Sequence, residues 1–184
     1  LIDAELFDDL ITVRRDLHSH PELSWSESRT AAKVCEFLDR CGVQYRRGVG
    51  GHGVVAELPG RRTGPFIALR ADMDALPVLE ETGLPFASSV EGVMHACGHD
   101  GHTTMLLGAA ALLVDDPPPL PVRLIFQPAE EPGRGAPAMI RAGVLEDVAM
   151  IFGGHVDRHY PAGSVVVTPG AVNASSDRFQ IQIS

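Results

Sequence analysis

The chain has 184 residues, of which 45% are hydrophobic and 21% are charged, and its net charge is −9. This length and balance are typical of one globular domain and exclude a mainly disordered chain. The acidic balance argues against nucleic acid and anionic membranes as main partners. No apolar run is long enough to span a membrane. The three cysteines show no disulfide spacing, so we expect reduced thiols and a cytoplasmic location.

The hydrophobic pattern predicts helices and strands that alternate along the chain. Apolar residues at helical spacing predict a helix at 4–18, and the capping-box pattern at 24–27 predicts the start of a second helix that ends near Cys41. A hairpin at 43–58 follows, in which His52 reads as a loop residue rather than a ligand. Downstream, the pattern predicts strands at 66–69, 122–126, 149–153, 164–168 and 179–183, and helices at 100–114 and 136–142.

This alternation predicts an α/β fold, a three-layer sandwich with a largely parallel sheet. In such sheets ligands bind beyond the carboxyl ends of the strands. Polar residues stand at these positions after three apolar strands, so we expect their side chains to meet at one edge of the sheet. The residues are Asp72, Asp74, Glu130, Glu131 and His155.

The segment 94–102 has the highest density of metal-binding residue types, with three histidines, a cysteine and an aspartate. Gly98 separates Cys97 from His99, and its backbone freedom lets both side chains turn inward. A thiolate and a neutral imidazole are ligands that zinc and related metals accept. Taken alone, this short motif is equally compatible with a metal site and with a glycine-containing turn that holds a buried cysteine and surface histidines.

The paired acids Glu130 and Glu131 would alone suggest a solvated acidic turn. Beside a histidine–cysteine cluster they have a second interpretation, because adjacent residues in an extended turn point apart. One glutamate can then bind a metal ion, while the other remains free as a general base. Cys97, His99, Glu131 and His155 together offer four ligands, which is ample for one ion and suggestive of two.

Five motifs follow one another along essentially the whole chain. They are RRDLHSHPEL at 14–23, ADMDALP at 71–77, HACGHDGH at 95–102, QPAEE at 127–131 and FGGH at 152–155. Together, and in this order, they resemble the M20 metallopeptidase family. The branch they are most similar to contains amidohydrolases that cleave N-acyl amino acids, including hippurate hydrolases and auxin-conjugate hydrolases.

The resemblance implies metal-dependent hydrolysis of the amide bond in an N-acyl amino acid or a similar small conjugate. The implied cofactor is a divalent metal. The family usually binds a pair of manganese or zinc ions, and Cys97 is implied to bridge the two ions. Glu130 is the implied general base, which takes a proton from the attacking water. Asp74 is implied to orient a ligand without binding the metal. The implied metal ligands are Cys97, His99, Glu131 and His155.

Other polar residues have supporting roles in this interpretation, and two other functions stay open. We expect Asp72, Asp100 and His102 to support ligands, His18 and His20 to support the fold or line the cleft, and Cys35 and Cys41 to be ordinary helix residues. One alternative function is a dipeptidase or deacylase of another branch of the family. The other is a non-catalytic fragment that binds a metal or a partner.

The resemblance also implies a domain organisation, because chains of this family are expected to be about twice as long. We expect residues 1–172 to form the N-terminal part of a catalytic domain with a zinc-peptidase-like fold. Residues 173–184 would begin an inserted lid or dimerisation domain, which allows a homodimer. A further histidine ligand is implied beyond this sequence, so we expect the 184-residue chain alone to lack useful amidase activity.

Overall fold

A computed structural model describes residues 2–170, in which helices and strands alternate as the sequence predicts. The helices are α1 (Ala4–Ser19), α2 (Ser28–Arg40), α3 (His99–Asp115) and α4 (Gly135–Arg141). The strands are β1 (Tyr45–Val49), β2 (Gly53–Leu58), β3 (Phe66–Asp72), β4 (Val122–Gln127) and β5 (Val148–Gly153). The predicted α/β class is confirmed, and a sheet of five strands is flanked by helices.

The sheet is mixed, with the order β1-β2-β4-β3-β5. The hairpin strands β1 and β2 are antiparallel, and β2 runs antiparallel to β4. Strand β3 lies between β4 and β5 and is parallel to both. The carboxyl ends of these three parallel strands therefore lie at one edge of the sheet, where the sequence placed its candidate residues.

Alternation along the strands divides the core between the two faces of the sheet. In β2, Val54 and Ala56 pack against one face, and Val55 packs against the other. The larger core cluster joins the first face to α1, α2 and α3, through residues such as Leu38 and Leu107. The smaller cluster covers the second face with residues that include Met139 of α4. The result is a three-layer arrangement of helices, sheet and helix.

The capping-box prediction at 24–27 is wrong. Trp25 has φ 68°, a left-handed conformation that a helix does not contain, and α2 begins only after this segment. The first turn of α2 is capped instead by Glu22, which precedes the capping-box pattern at 24–27. The carboxylate of Glu22 accepts hydrogen bonds from the backbone N–H groups of Arg29 at 3.0 Å and Thr30 at 2.7 Å. The polar residues of the pattern are therefore free for contacts elsewhere.

Strand β5 lies at one edge of the sheet that the described residues form, and it exposes apolar side chains. Met150, Ile151 and Phe152 are each about half exposed, and adjacent strand residues point to opposite faces. The predicted strand at 164–168 is wrong, because this segment is irregular and its valines are largely exposed. β-branched residues favour a strand only where a neighbouring strand pairs with them, and none of the described residues does so.

The remaining predictions for the end of the chain lie outside the described residues. These are the strand at 179–183 and the start of an inserted domain at 173–184. Within residues 2–170, no helix combines the length and the apolar character needed to cross a bilayer.

Candidate metal centre

The candidate residues converge at the carboxyl edge of the parallel strands. Asp72 ends β3 beside Gln127, which ends β4, and His99 begins α3. His155 follows the end of β5 by two residues. Among the described residues there are three groups of potential ligands, and within each group the ligand atoms lie within 4.8 Å of one another. His99 belongs to all three groups. The groups are Cys97, His99 and His155; Asp72, His99 and His102; and His99, Glu130 and Glu131.

The turn that precedes α3 requires a glycine between two candidate ligands. Gly98 has φ 86°, and a Cβ at this position would lie 2.4 Å from Cγ2 of Val156. Any other residue would therefore be strained in its backbone and would collide with the segment after β5. With glycine there, Cys97 turns toward His155, and Sγ lies 3.3 Å from Nε2 of that histidine.

His99 presents one of its ring nitrogens at the centre of the site. Its ring is almost fully buried, and Nδ1 donates a hydrogen bond to the carbonyl oxygen of Asp74 at 2.8 Å. Because a carbonyl only accepts, Nδ1 carries the proton in the neutral ring, and Nε2 has a free lone pair. Nε2 is buried and has no hydrogen-bond partner among the described residues.

Three carboxylates surround that nitrogen. Nε2 of His99 lies 3.6 Å from Oδ2 of Asp72 and 3.9 Å from one carboxylate oxygen of each neighbouring glutamate, Glu130 and Glu131. A buried lone pair facing several carboxylate oxygens is an arrangement that a cation completes. The donor types, which are imidazole, thiol and carboxylate, suit zinc and manganese. The residues present therefore fit a divalent metal.

The turn that carries the two glutamates is held by Asp74. One oxygen of this buried carboxylate accepts from the backbone N–H of Glu130 at 3.0 Å, and the other accepts from that of Glu131 at 3.1 Å. Ser24, from the failed capping box, donates its hydroxyl to Asp74 at 2.6 Å. Asp74 thus holds the backbone of both glutamates, and its own carbonyl group holds His99.

A second buried acid, Glu27, holds the residue before the glutamate pair. Ala129 is fully buried and has φ 48°, a left-handed conformation that is uncommon for residues other than glycine. Oε1 of Glu27 accepts from the N–H of Ala129 at 2.8 Å and from the N–H of Trp25 at 3.0 Å. Both donors belong to residues with positive φ, so Glu27 stabilises two unusual backbone conformations together.

The electrostatics of the metal-free site reflect its excess of negative charge. Burial raises the pKa of the Cys97 thiol to about 12, and the nearby carboxylates of Glu131 and Glu130 add to the shift. Burial also raises the pKa of Glu131. For Asp72 burial acts in the same direction, but the hydrogen bond from His102 and the charge of Arg70 outweigh it and lower the pKa to about 2. A bound cation would favour the ionised forms of all these acids.

Two further candidates support the surroundings of the site rather than the cluster itself. The carboxylate of Asp100 faces α1, where it bonds to His18 at 2.7 Å and to Arg14 at 3.0 Å. His18 also contacts Glu80 at 3.2 Å. This buried network joins α1 to the first turn of α3, next to His99. His20 is not part of this network. It follows the last residue of α1, and its Nδ1 donates to the backbone carbonyl of Asp16 in that helix.

The remaining cysteines and His52 are not in the cluster. Cys35 is buried within α2, and Cys41 caps the end of that helix. Burial raises the pKa of both thiols, which is the behaviour of inert structural cysteines. His52 lies in the β1–β2 loop, as the sequence predicts.

Three residues that contribute to the site were not predicted from the sequence as site residues: Ser24, Glu27 and Val156. Glu27 was interpreted as part of a local cap, whereas its partner Ala129 is 102 residues away along the chain. Val156 acts through its backbone, since its N–H donates to Nε2 of His102 at 3.0 Å. A glutamate in a capping pattern that does not start a helix can be suspected of a buried contact elsewhere. A backbone N–H donor leaves no such signal in the sequence.

We expect Glu27→Ala to lower the free energy of unfolding by about 2–4 kcal/mol. The buried N–H of Ala129 loses its acceptor, which costs about 1–3 kcal/mol, and the partly buried N–H of Trp25 adds a smaller loss. Glu27→Gln keeps an acceptor oxygen, so its loss should be clearly smaller. Urea unfolding of the metal-free chain measures both. Glu36→Ala is a matched control, because this exposed side chain bonds to Lys33 alone among residues 2–170. Equal stability of the wild type and Glu27→Ala would contradict the assigned contact.

An α/β sheet with cysteine, histidine and glutamate donors at the carboxyl ends of its parallel strands is a metallohydrolase arrangement. The chain matches the family described as Peptidase family M20/M25/M40 over residues 68–183, which is more than half of its length. The protein therefore belongs to this family of metal-dependent hydrolases, and the resemblance inferred from the motifs is confirmed.

Two similar proteins are longer than this chain, and one of them has the name of a hydrolase. An N-acetylcysteine deacetylase of Bacillus subtilis is 47% identical over 191 residues, covering 100% of this chain and 49% of the deacetylase. A Rhodococcus jostii protein named a putative glutamate--cysteine ligase 2-3 is 51% identical over 176 residues, covering 95% of this chain and 22% of that protein. The chain thus spans about half the length of the first of these relatives and less of the second.

A solved structure supports the same fold. The Bacillus subtilis YXEP protein, described as a dinuclear metal binding peptidase from the M20 family, superposes on the chain with a TM-score of 0.85. The two sequences are 47% identical, and the match covers 88% of this chain and 46% of that one. The expected fold of an M20 catalytic domain is therefore confirmed for the described residues.

Proposed function

We propose that the full-length protein is a metal-dependent amidohydrolase that cleaves the amide bond of N-acyl amino acids or similar small conjugates. The observation that carries this proposal is the buried Nε2 of His99, which has no hydrogen-bond partner in the described part of the chain and faces Asp72 and the two glutamates of the QPAEE turn. Family membership supports hydrolysis as the reaction class.

Cys97, His99, Glu131 and His155 are the proposed metal ligands. Cys97 is close to both His155 and Glu131, which suits a thiolate shared between two ions. The donor set accepts manganese or zinc, and a relative described as dinuclear supports a pair of ions. Asp74 is the residue that holds the ligands without binding the metal, through its contacts with His99 and the backbone of Glu131.

The two glutamates are assigned different roles from their surroundings. Both place an oxygen 3.9 Å from Nε2 of His99, so that distance does not separate them. Glu131 lies within hydrogen-bonding reach of the Cys97 thiol, and its side chain is only 24% exposed. Glu130 is 39% exposed and is open to a substrate on the solvent side. Glu131 therefore suits a ligand, and Glu130 suits a general base.

Divalent ions at such a site lower the pKa of water and polarise a carbonyl group. In the proposed reaction Glu130 takes a proton from the attacking water and later delivers it to the leaving amine. Asp74 fixes the backbone of Glu130, and Glu27 fixes the preceding residue, so the base has a defined position. Rigid positioning of a base contributes directly to its efficiency.

The substrate class is proposed from the family resemblance and from the relative named N-acetylcysteine deacetylase. A small acylated amino acid is also consistent with the acidic chain, which does not favour nucleic acid. We further propose that residues 1–172 form the N-terminal part of the catalytic domain and that 173–184 begin a lid or dimerisation domain. The free thiols of the described cysteines support a reducing, cytoplasmic compartment.

Metal removal tests the proposed function. We expect chelator treatment of the full-length protein to abolish hydrolysis of N-acetyl amino acids, and added manganese or zinc to restore it. A panel that includes hippurate, N-acetylcysteine and simple dipeptides would define the substrate class. Calcium serves as the control ion, because it prefers oxygen ligands and does not suit a thiolate site. Full activity after complete metal removal would refute the proposal.

A further inference from the structure

We infer that His102 is a positioning residue, which holds the metal-ligand candidate His155 in place through the backbone of Val156. This inference rests on the proposed function, in which His155 binds metal. The question arises because His155 is exposed and lies in an irregular segment, whereas its neighbours in the cluster lie on or beside α3 and β4. A ligand on such a segment needs an anchor to be ready for an ion.

The first step of the chain of contacts joins Asp72 to His102. Oδ1 of Asp72 lies 2.6 Å from Nδ1 of His102, and both side chains are buried. The other oxygen of Asp72 accepts from Arg70 at 2.6 Å. An ionised carboxylate only accepts hydrogen bonds, so Nδ1 of His102 carries a proton.

The second step joins His102 to Val156. The backbone N–H of Val156 donates to Nε2 of His102 at 3.0 Å, so this nitrogen is unprotonated and the ring is neutral. His102, His99 and Asp72 lie close enough together to suggest a metal site. However, both ring nitrogens of His102 are already used, which makes it a support rather than a ligand.

The third step joins Val156 to His155. The carbonyl oxygen of Val156 accepts from Nδ1 of His155 at 2.7 Å, which leaves Nε2 with its lone pair, 3.3 Å from Sγ of Cys97. Metal-binding histidines commonly donate their second ring N–H to a carbonyl group in this way. The side chain of Val156 also packs over Gly98, the residue that separates the ligand candidates Cys97 and His99 in the sequence. Val156 therefore fixes both the position and the tautomer of His155.

Two substitutions of His102 separate the two hydrogen bonds that its ring makes. In His102→Gln the side-chain oxygen is three bonds from Cβ, as Nε2 is, so it can still accept from Val156. In His102→Asn the amide is two bonds from Cβ, as Nδ1 is, so the bond to Asp72 is kept and the acceptor for Val156 is lost. His52→Asn is the matched control, because His52 lies in a loop outside the cluster.

The readouts are zinc affinity of the full-length protein by calorimetric titration and hydrogen exchange of the Val156 amide in the metal-free protein. For His102→Asn we expect about 10–100-fold weaker zinc binding, the usual effect of losing a residue that orients a ligand. We also expect faster exchange at Val156. His102→Gln and His52→Asn should stay close to the wild type in both measurements.

Three results would overturn the inference. The first is wild-type zinc affinity and Val156 protection in a folded His102→Asn variant. The second is loss of zinc in His102→Gln with Val156 still protected, which would make His102 a direct ligand. The third comes from nitrogen NMR of labelled histidines in the wild-type protein and decides the matter even if a variant does not fold. We expect His102 to be protonated at Nδ1 only, and a proton on Nε2 would exclude the bond to Val156.

The same measurements keep this inference apart from the proposed function. If the wild-type protein binds neither zinc nor manganese, the proposed function fails. In that case the exchange rates and the tautomer of His102 still report whether the segment after β5 is anchored.

Discussion

Replacing Glu130 by glutamine in the full-length protein is expected to lower kcat on an N-acyl amino acid by about 10²–10⁴-fold, the usual contribution of a general base. The glutamine side chain has nearly the same size but cannot take a proton. The contacts of Asp74 with the backbone N–H groups of the turn do not involve the replaced atoms, so the turn should keep its shape. Metal content should remain that of the wild type.

The matched control for this prediction is Glu131→Gln, at the neighbouring position of the same turn. We expect this variant to lose metal affinity as well as turnover, because Glu131 is the proposed ligand. Steady-state kinetics and metal analysis of the two purified variants separate the roles. Metal loss in Glu130→Gln together with metal retention in Glu131→Gln would show that the two assignments must be exchanged. Full turnover in Glu130→Gln would remove Glu130 from the mechanism altogether.

Replacing Cys97 by alanine is expected to weaken metal binding strongly. Loss of a residue that only supports a ligand weakens metal affinity by about 10–100-fold, and we expect a larger effect here. The reason is that Cys97 is the proposed bridging ligand and is close to both His155 and Glu131. Cys35→Ala and Cys41→Ala are the matched controls, because both thiols belong to α2 or its end. Calorimetric titration with zinc or manganese measures all three variants. Unchanged affinity in Cys97→Ala would make this cysteine an ordinary core residue.

Proton release gives an independent check on the same residue. In the metal-free protein the pKa of the Cys97 thiol is raised to about 12, so the thiol is protonated at neutral pH. Binding of an ion by the thiolate must displace that proton. We therefore expect the wild type to release more protons on zinc binding than Cys97→Ala does. Titrations in two buffers with different enthalpies of ionisation measure this difference.

Much of the fold could be predicted because the relevant signals are local. Helical spacing of apolar residues predicted α1, and continuous apolar runs predicted β3, β4 and β5. The rule that parallel strands place ligands at their carboxyl ends then predicted that the residues after those strands would meet. The structure brings Asp72 and the glutamate pair within 4 Å of His99 at that edge.

The failures share a physical cause, which is that distant partners decide local conformation. Ser24 and Glu27 have the spacing of a cap, but their side chains bond instead to Asp74 and to the N–H of Ala129. The valine run at 165–167 has strand propensity, but no described strand pairs with it. The role proposed for Val156 depends on its backbone and on close packing over Gly98, and neither is written in its residue type.

The most direct test of the metal centre is anomalous diffraction from crystals of the full-length protein soaked in zinc or manganese, measured at the absorption edge of that metal. We expect an anomalous peak within about 2.0–2.3 Å of Cys97 Sγ, His99 Nε2 and His155 Nε2, the bond lengths usual for zinc with sulfur and nitrogen ligands. A second peak should lie on the other side of Sγ, near Glu131. The absence of any peak at this position at saturating metal, or a peak bound by other residues, would contradict the account.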